Sequence, residues 1–170
     1  MKTLLSLLLL LPLTSFASLE ELLGTELVDA KGDKVETSSL EGKVIGLYFS
    51  AEWCGPCKMF TPELVKFRDR NDETFEVVFV SSDRSGEDQQ AYMKDYDMEW
   101  PAIPFDSPLR QELGAKYGIR GIPSLIIIDD QGNLITKDGR SEMSRSDSNA
   151  RKALREWRRA AGKDDDGDDD

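Results

Sequence analysis

Cys54 and Cys57 are the only thiols in the 170-residue chain. They stand in C-x-x-C spacing just after an apolar run, Val44 to Phe49, that has the composition of a buried strand. The run breaks at Ala51-Glu52 and delivers Trp53-Cys54-Gly55-Pro56-Cys57-Lys58 at the mouth of a helix. A helix N-terminus offers unpaired N–H groups and the positive end of the helix dipole, and both stabilise a thiolate. Cys54 is therefore read as the attacking thiolate, and Cys57 as the thiol that resolves the mixed disulfide. Two other readings share the spacing: half of a zinc site, and a small inert disulfide. Structural zinc takes four Cys or His ligands. With no histidine and no further cysteine in the chain, only carboxylates could complete such a site. A disulfide closing so short a loop would constrain little in the unfolded chain. The strand-to-helix context favours redox chemistry, with no metal and no other cofactor expected.

Composition narrows the rest. A chain of this length supports one domain with a real core. The formal net charge of -11 argues against nucleic acid or an anionic membrane surface as partner. Without histidine, the usual general base is missing. Catalysis must run through thiols, carboxylates, lysines and backbone dipoles.

The N-terminus carries a separate signal. Lys2 gives a positive start, Leu4 to Leu13 is apolar apart from Ser6, and Ser15-Phe16-Ala17 places small residues where a signal peptidase reads. Residues 1–17 read as a secretory signal peptide cut after Ala17; the apolar run is short of the roughly 20 residues needed to span a bilayer. The domain then occupies residues 18–162, and 163–170 form an acidic tail expected to be disordered. Export places the cysteine pair in an oxidising compartment: the periplasm in a Gram-negative bacterium, otherwise the secretory lumen or the outside.

Around the motif, the pattern predicts alternating strands and helices. Leu19 to Leu23 begins a helical turn or an edge strand, and Lys31-Gly32-Asp33 turns a hairpin between Glu26-Val28 and Lys34-Glu36. Phe60, Leu64 and Phe67 mark a helix from Cys57 to about Asn71. Phe75 to Val80 is a second buried strand, and Ser85 with Asp88 caps a helix running to about Tyr96. Trp100 to Phe105 is extended because each proline disfavours helix before it. Ser107-Pro108 opens a helix that Gly118 ends. Ser124 to Ile128 is a third strand, turned into Leu134-Ile135-Thr136. Lys137 to Asn149 is a polar loop, and Ala150, Leu154, Trp157 and Ala161 mark a last helix.

On WCGPCK, the preceding YFSAEW and the later Gly121-Ile122-Pro123-Ser124, the chain resembles the thioredoxin superfamily. Tyr48-Phe49-Ser50-Ala51, Phe60-Thr61-Pro62, Ser81-Ser82-Asp83-Arg84 and Trp100-Pro101-Ala102-Ile103-Pro104-Phe105 bring it nearest the tryparedoxin and nucleoredoxin branch. The resemblance implies a thioredoxin-like α/β fold, a central mixed β-sheet flanked by helices on both faces. It implies that Pro123 is cis beside the disulfide and that the Ile122 backbone pairs with an extended substrate. Trp53, Gly55, Pro56 and Gly121 complete the implied substrate surface. The sequence also departs from the family's patterns. Tyr48 stands where thioredoxin proper has a buried aspartate, so Glu52, Lys58, water or substrate must serve proton transfer from Cys57. Lys58 is placed to lower the thiol pKa. Asp83 and Arg84 fall either at the rim of the site or in a surface ion pair. The tryparedoxin dipeptide is Pro-Pro, whereas this chain has Gly55-Pro56.

The resulting expectation is an exported, monomeric thiol–disulfide oxidoreductase that reduces protein disulfides and takes electrons from an external donor such as a membrane thiol carrier. A dithiol oxidase or isomerase would use the same residues at a different potential. A non-enzymatic module holding extended peptides around Trp53 and Pro123 is the alternative of a different class.

Overall fold

The computed structural model describes residues 16–143 and 147–163; most of the expected leader and the aspartates from residue 164 lie outside them. Helix α1 (Phe16–Leu23) precedes a hairpin of β1 (Glu26–Val28) and β2 (Lys34–Glu36) and a 3-10 turn (Thr37–Leu40). There follow β3 (Val44–Ser50), α2 (Gly55–Asp69), β4 (Phe75–Ser81), α3 (Gly86–Asp95) and α4 (Leu109–Tyr117). The chain closes with β5 (Ser124–Ile128), β6 (Leu134–Thr136), α5 (Gly139–Met143) and α6 (Asp147–Ala160). The main sheet runs in the order β4-β3-β5-β6. Strand β3 pairs parallel with β4 and antiparallel with β5, which gives the mixed sheet expected. The extended segment at Trp100 widens it: Ala102 bridges Val28 of β1 and Phe79 of β4.

Strand periodicity sorts the core into two layers. Val44 and Tyr48 of β3, Phe75 and Phe79 of β4, and Leu125 and Ile127 of β5 face one side, where Phe60, Leu64 and Phe67 of α2, Tyr92 of α3 and Trp157 of α6 cover them. The alternate residues Ile45, Leu47, Phe49, Val78, Ile126 and Ile128 face the other side, against Leu19, Leu22 and Leu23 of α1 and Leu113 of α4. Both faces of β3 and β4 are thus apolar, which is why their sequences read as continuous hydrophobic runs. Glu76 interrupts the run in β4, yet it is buried, because Arg68 of α2 holds its two carboxylate oxygens at 2.8 and 2.9 Å.

Local structure follows the sequence signals at most ends. Leu19 to Leu23 is helical, and Gly24 leaves α1 at φ 82°. Asp29 Oδ1 accepts from the N–H groups of Lys31 and Asp33 at 2.7 and 2.9 Å and folds the hairpin turn. Ser85 accepts from the Asp88 N–H at 3.0 Å as the cap of α3. Ser107 Oγ accepts from the Leu109 N–H at 3.3 Å at the start of α4.

The segment 137–149 differs from expectation. It contains α5 and the first residues of α6 where a loop was predicted. Met143 is its only large apolar side chain, too little for a helical period to show, and the face it shares with Gly139 is buried. Gly139 has to be glycine: a Cβ there would lie 2.7 Å from Ile127 Cγ1 and 2.9 Å from the Leu125 carbonyl oxygen. Gly139→Ala should therefore destabilise the fold by about 1–3 kcal/mol. Gly114→Ala, in α4 with open space around the new methyl, should be neutral or stabilising by up to about 1 kcal/mol. Urea unfolding of the two variants checks the contrast.

Candidate active site

Strand β3 ends at Ser50, and the chain reaches Cys54 through Ala51, Glu52 and Trp53. Cys54 is the N-cap of α2, with φ −90° and ψ 105°, and its Sγ accepts from the Cys57 N–H at 3.2 Å. The helix starts at Gly55, two residues before the start read from the sequence. Pro56 sits in the first turn, where its missing N–H costs no helical bond. Cys54 and Cys57 are joined as a disulfide, with Cα atoms 5.2 Å apart. The two sulfurs are not equivalent. Cys54 keeps 6% of its surface in solvent and Cys57 keeps none, so only Cys54 can be approached from outside.

The second wall of the site comes from the start of β5. The Ile122–Pro123 peptide is cis, and the Ile122 carbonyl oxygen lies 3.8 Å from Cys54 Sγ. Ile122 packs against Ala51, Cys54 and Cys57, while Pro123 is buried. Gly121 is exposed, and its carbonyl accepts from Ser124 Oγ at 2.8 Å. Gly55 and Pro56 are exposed on the opposite lip, and nothing lies within 4 Å of where a Gly55 side chain would be. Trp53 is half exposed and fixed by its Nε1–H, which donates to the Ser82 carbonyl at 3.1 Å.

Asp83 anchors the loop before Cys54. Its Oδ1 accepts from the Glu52 N–H at 2.6 Å and its Oδ2 from Ser81 Oγ at 2.7 Å. The carboxylate is buried, whereas Arg84 is exposed. Neither the rim nor the surface-ion-pair reading describes Asp83, which works from beneath the loop. Arg110 of α4 braces the same corner, donating to the Ser81 carbonyl at 2.9 Å and the Phe105 carbonyl at 2.6 Å. Glu52 and Lys58 pair with each other beside the motif. The hydrogen bond that the Lys58 ammonium donates to Glu52 raises it above its ordinary pKa and keeps it protonated.

Below Cys57 lies a chain of buried hydroxyls. Thr61 Oγ1, one turn along α2, donates to the Cys57 carbonyl at 2.8 Å and lies 2.8 Å from the Tyr48 hydroxyl and 2.6 Å from that of Tyr92. The Tyr92 hydroxyl continues to Ser50 Oγ at 3.1 Å, and Tyr48 OH also donates to the Cys57 carbonyl at 3.4 Å. Burial pushes the Tyr48 phenol far above its ordinary value of 10.0, so it stays neutral near physiological pH. Sequence reasoning identified Tyr48 but missed its partners. The usable signal was Thr61 at four residues past Cys57, the spacing at which a hydroxyl reaches back to a helix carbonyl. Tyr92 is too far along the chain to leave one.

A thioredoxin-like family model matches residues 42–134, more than half of the chain and every site residue described above. The chain belongs to the thioredoxin-like family. Among curated proteins, it is 44% identical to nucleoredoxin of Mus musculus over 128 residues, covering 72% of this chain and 29% of that protein. It is 40% identical to tryparedoxin of Trypanosoma brucei brucei over 118 residues, covering 67% of this chain and 81% of the tryparedoxin. The chain thus spans less than a third of the nucleoredoxin but most of the tryparedoxin. Among solved structures, the thioredoxin of Wuchereria bancrofti superposes with a TM-score of 0.69 at 44% identity, covering 74% of this chain and 89% of that one.

This thioredoxin-like chain thus carries the redox cysteine pair of its family on a neutral hydroxyl floor. Asp83, a buried carboxyl, sits beside the loop instead. Burial, with smaller contributions from the Asp88 and Glu52 charges, lifts the Asp83 carboxyl above its ordinary 3.8; hydrogen bonds from Ser81 and Glu52 oppose the rise without cancelling it. The folded state therefore keeps this proton at pH values just above 3.8, where the unfolded chain has released it. Across that window, this group's contribution to stability falls as pH rises. Asp83→Asn removes the titration, so the variant should gain on the wild type as pH rises through the window. Urea midpoints against pH test it, and a constant difference between the two proteins would contradict it.

Proposed function

We propose that the protein is an exported thiol–disulfide oxidoreductase that reduces protein disulfides. The observation that carries this reading is the asymmetry of the pair: Cys54 at the N-terminus of α2 with its edge open to solvent, Cys57 enclosed behind it. In the reduced protein, the Cys54 thiolate, stabilised by the N–H groups and dipole of α2, attacks one sulfur of a substrate disulfide. The substrate S–S bond breaks, a mixed disulfide forms, and the first substrate sulfur leaves as a thiolate that takes up a proton. Cys57 then gives up its proton, directly or through water, and attacks Cys54 Sγ. The second substrate thiolate is released and the Cys54–Cys57 disulfide forms. Two electrons have passed to the substrate, and an external dithiol donor returns them to the enzyme.

The surroundings fit this cycle. A substrate segment in extended form can hydrogen-bond to the Ile122 backbone over Pro123. Trp53, next to Cys54 in the chain, and Met59, further along α2, are exposed and offer apolar contact. With its phenol held neutral, Tyr48 is no base for Cys57 and serves to hold the Cys57 carbonyl. Export rests on the leader pattern of residues 1–17; a cut after Ala17 leaves the buried Leu19, Leu22 and Leu23 in the mature chain. The donor in that compartment would be a membrane thiol carrier or an equivalent dithiol.

The roles are separable by substitution. Cys57→Ser should accumulate a covalent complex with a disulfide protein such as insulin, visible by mass spectrometry and lost on reduction. Cys54→Ser should form no complex and lose turnover. Insulin reduction by Cys54→Ser at the wild-type rate would overturn the assignment.

A further inference from the structure

Each buried hydroxyl beneath Cys57 has one proton to give, and that fixes the direction of the hydrogen bonds there. Tyr48, Ser50, Cys57, Thr61 and Tyr92 are all fully buried, so bulk water does not compete. A carbonyl only accepts, and the shorter hydroxyl contact of the Cys57 carbonyl is Thr61 Oγ1 at 2.8 Å, against 3.4 Å for Tyr48. Thr61 therefore spends its proton on that carbonyl. The phenols of Tyr48 and Tyr92, at 2.8 and 2.6 Å from Thr61 Oγ1, must then both donate to it, which fills its two lone pairs. With its own proton committed, the Tyr92 oxygen accepts from Ser50 Oγ at 3.1 Å. The hydroxyls run one way, from Ser50 through Tyr92 to Thr61, with Tyr48 joining from the side. They all end on the Cys57 carbonyl.

A directed chain has consequences that an undirected polar cluster lacks. Successive donors polarise one another and strengthen the last bond. The O–H dipoles also turn their positive ends toward Cys57, the third residue of α2. The other groups around it offer nothing of this kind. Glu52 and Lys58 satisfy each other at the rim, Asp83 is taken by Ser81 and the Glu52 N–H, and Ala51 and Ile122 are apolar.

We propose that Thr61, backed by Tyr92 and Ser50, is a positioning residue for the resolving step, a role that rests on the oxidoreductase reading above. In that step the Cys57 S–H bond breaks, the Cys57–Cys54 S–S bond forms, and the bond from Cys54 to the substrate sulfur breaks. The substrate sulfur keeps the electron pair of the broken bond, takes the Cys57 proton and leaves as a thiol. The hydroxyl chain holds the Cys57 backbone where the disulfide needs it and offsets negative charge as it builds on Cys57 Sγ. The step then needs no side-chain base.

The test is a single turnover of the pre-reduced protein with insulin, quenched in acid and read by mass spectrometry. Thr61→Val removes the hydroxyl and keeps the branched shape. It should slow release of the mixed disulfide about tenfold, the worth of one buried hydrogen bond, so that the Cys54-linked complex builds up. Alkylation of Cys54 by iodoacetamide should keep its wild-type rate. Tyr92→Phe should act in the same direction to a smaller extent, and Thr61→Ser, which keeps the donor, should match the wild type. Wild-type release by Thr61→Val, or an equal loss in alkylation and release, would overturn the proposal. If the wild type does not reduce insulin at all, the oxidoreductase reading falls. The hydroxyl chain is then tested in Cys54→Ser protein, where Thr61→Val should raise the Cys57 thiol pKa read from thiolate absorbance; an unchanged titration would overturn it.

Discussion

Everything at the site depends on the hydrogen-bonded pairing of β3 with its two neighbours. In the parallel ladder Ser50 lies opposite Ser81, and in the antiparallel ladder Phe49 lies opposite Ser124. These registers bring three chain ends to one edge of the sheet. The end of β3 leads into Cys54, the end of β4 into Ser82 and Asp83, and β5 starts directly after Pro123. A slip of one residue in either ladder would move the side chains of β3 into the wrong one of the two core layers, and it would also separate Cys54 from Ile122. The apolar layers on both faces of β3 therefore fix the chemistry as well as the fold.

Electrostatics around the disulfide divide the work. Charge is kept at the rim, where Glu52 and Lys58 satisfy each other. Beneath Cys57, Tyr48, Thr61, Tyr92 and Ser50 form a polar chain that carries no charge. Such a network, with each hydroxyl partnered, can be buried without the cost of an isolated ion. It ties α2 to β3 and α3 at the turn that holds Cys57. Asp83 does a different job, joining the β4 end to the loop that carries Trp53.

Much of this was legible in the residues. The C-x-x-C after a buried strand pointed to a cysteine pair at a helix N-terminus, and together with the later Ile-Pro it carried the resemblance that implied the fold. Less legible were features made by residues distant in sequence. Ser50, Thr61 and Tyr92 belong to three elements and meet only once the sheet and helices pack. Asp83 reads as a polar loop residue until the Glu52 N–H is seen to point at it. Helix α5 escaped notice because Gly139, which carries no hydropathy signal, is what lets it approach β5.

The measurement that bears most directly on the account is the reduction potential of the Cys54–Cys57 pair, obtained by equilibrating the protein against defined dithiol buffers. A reductase with the Gly55-Pro56 dipeptide should poise near the roughly −270 mV of thioredoxin. A value between about −180 and −120 mV would make it an isomerase or oxidase instead. A pair that does not cycle at all would contradict the redox reading and leave the disulfide a structural link.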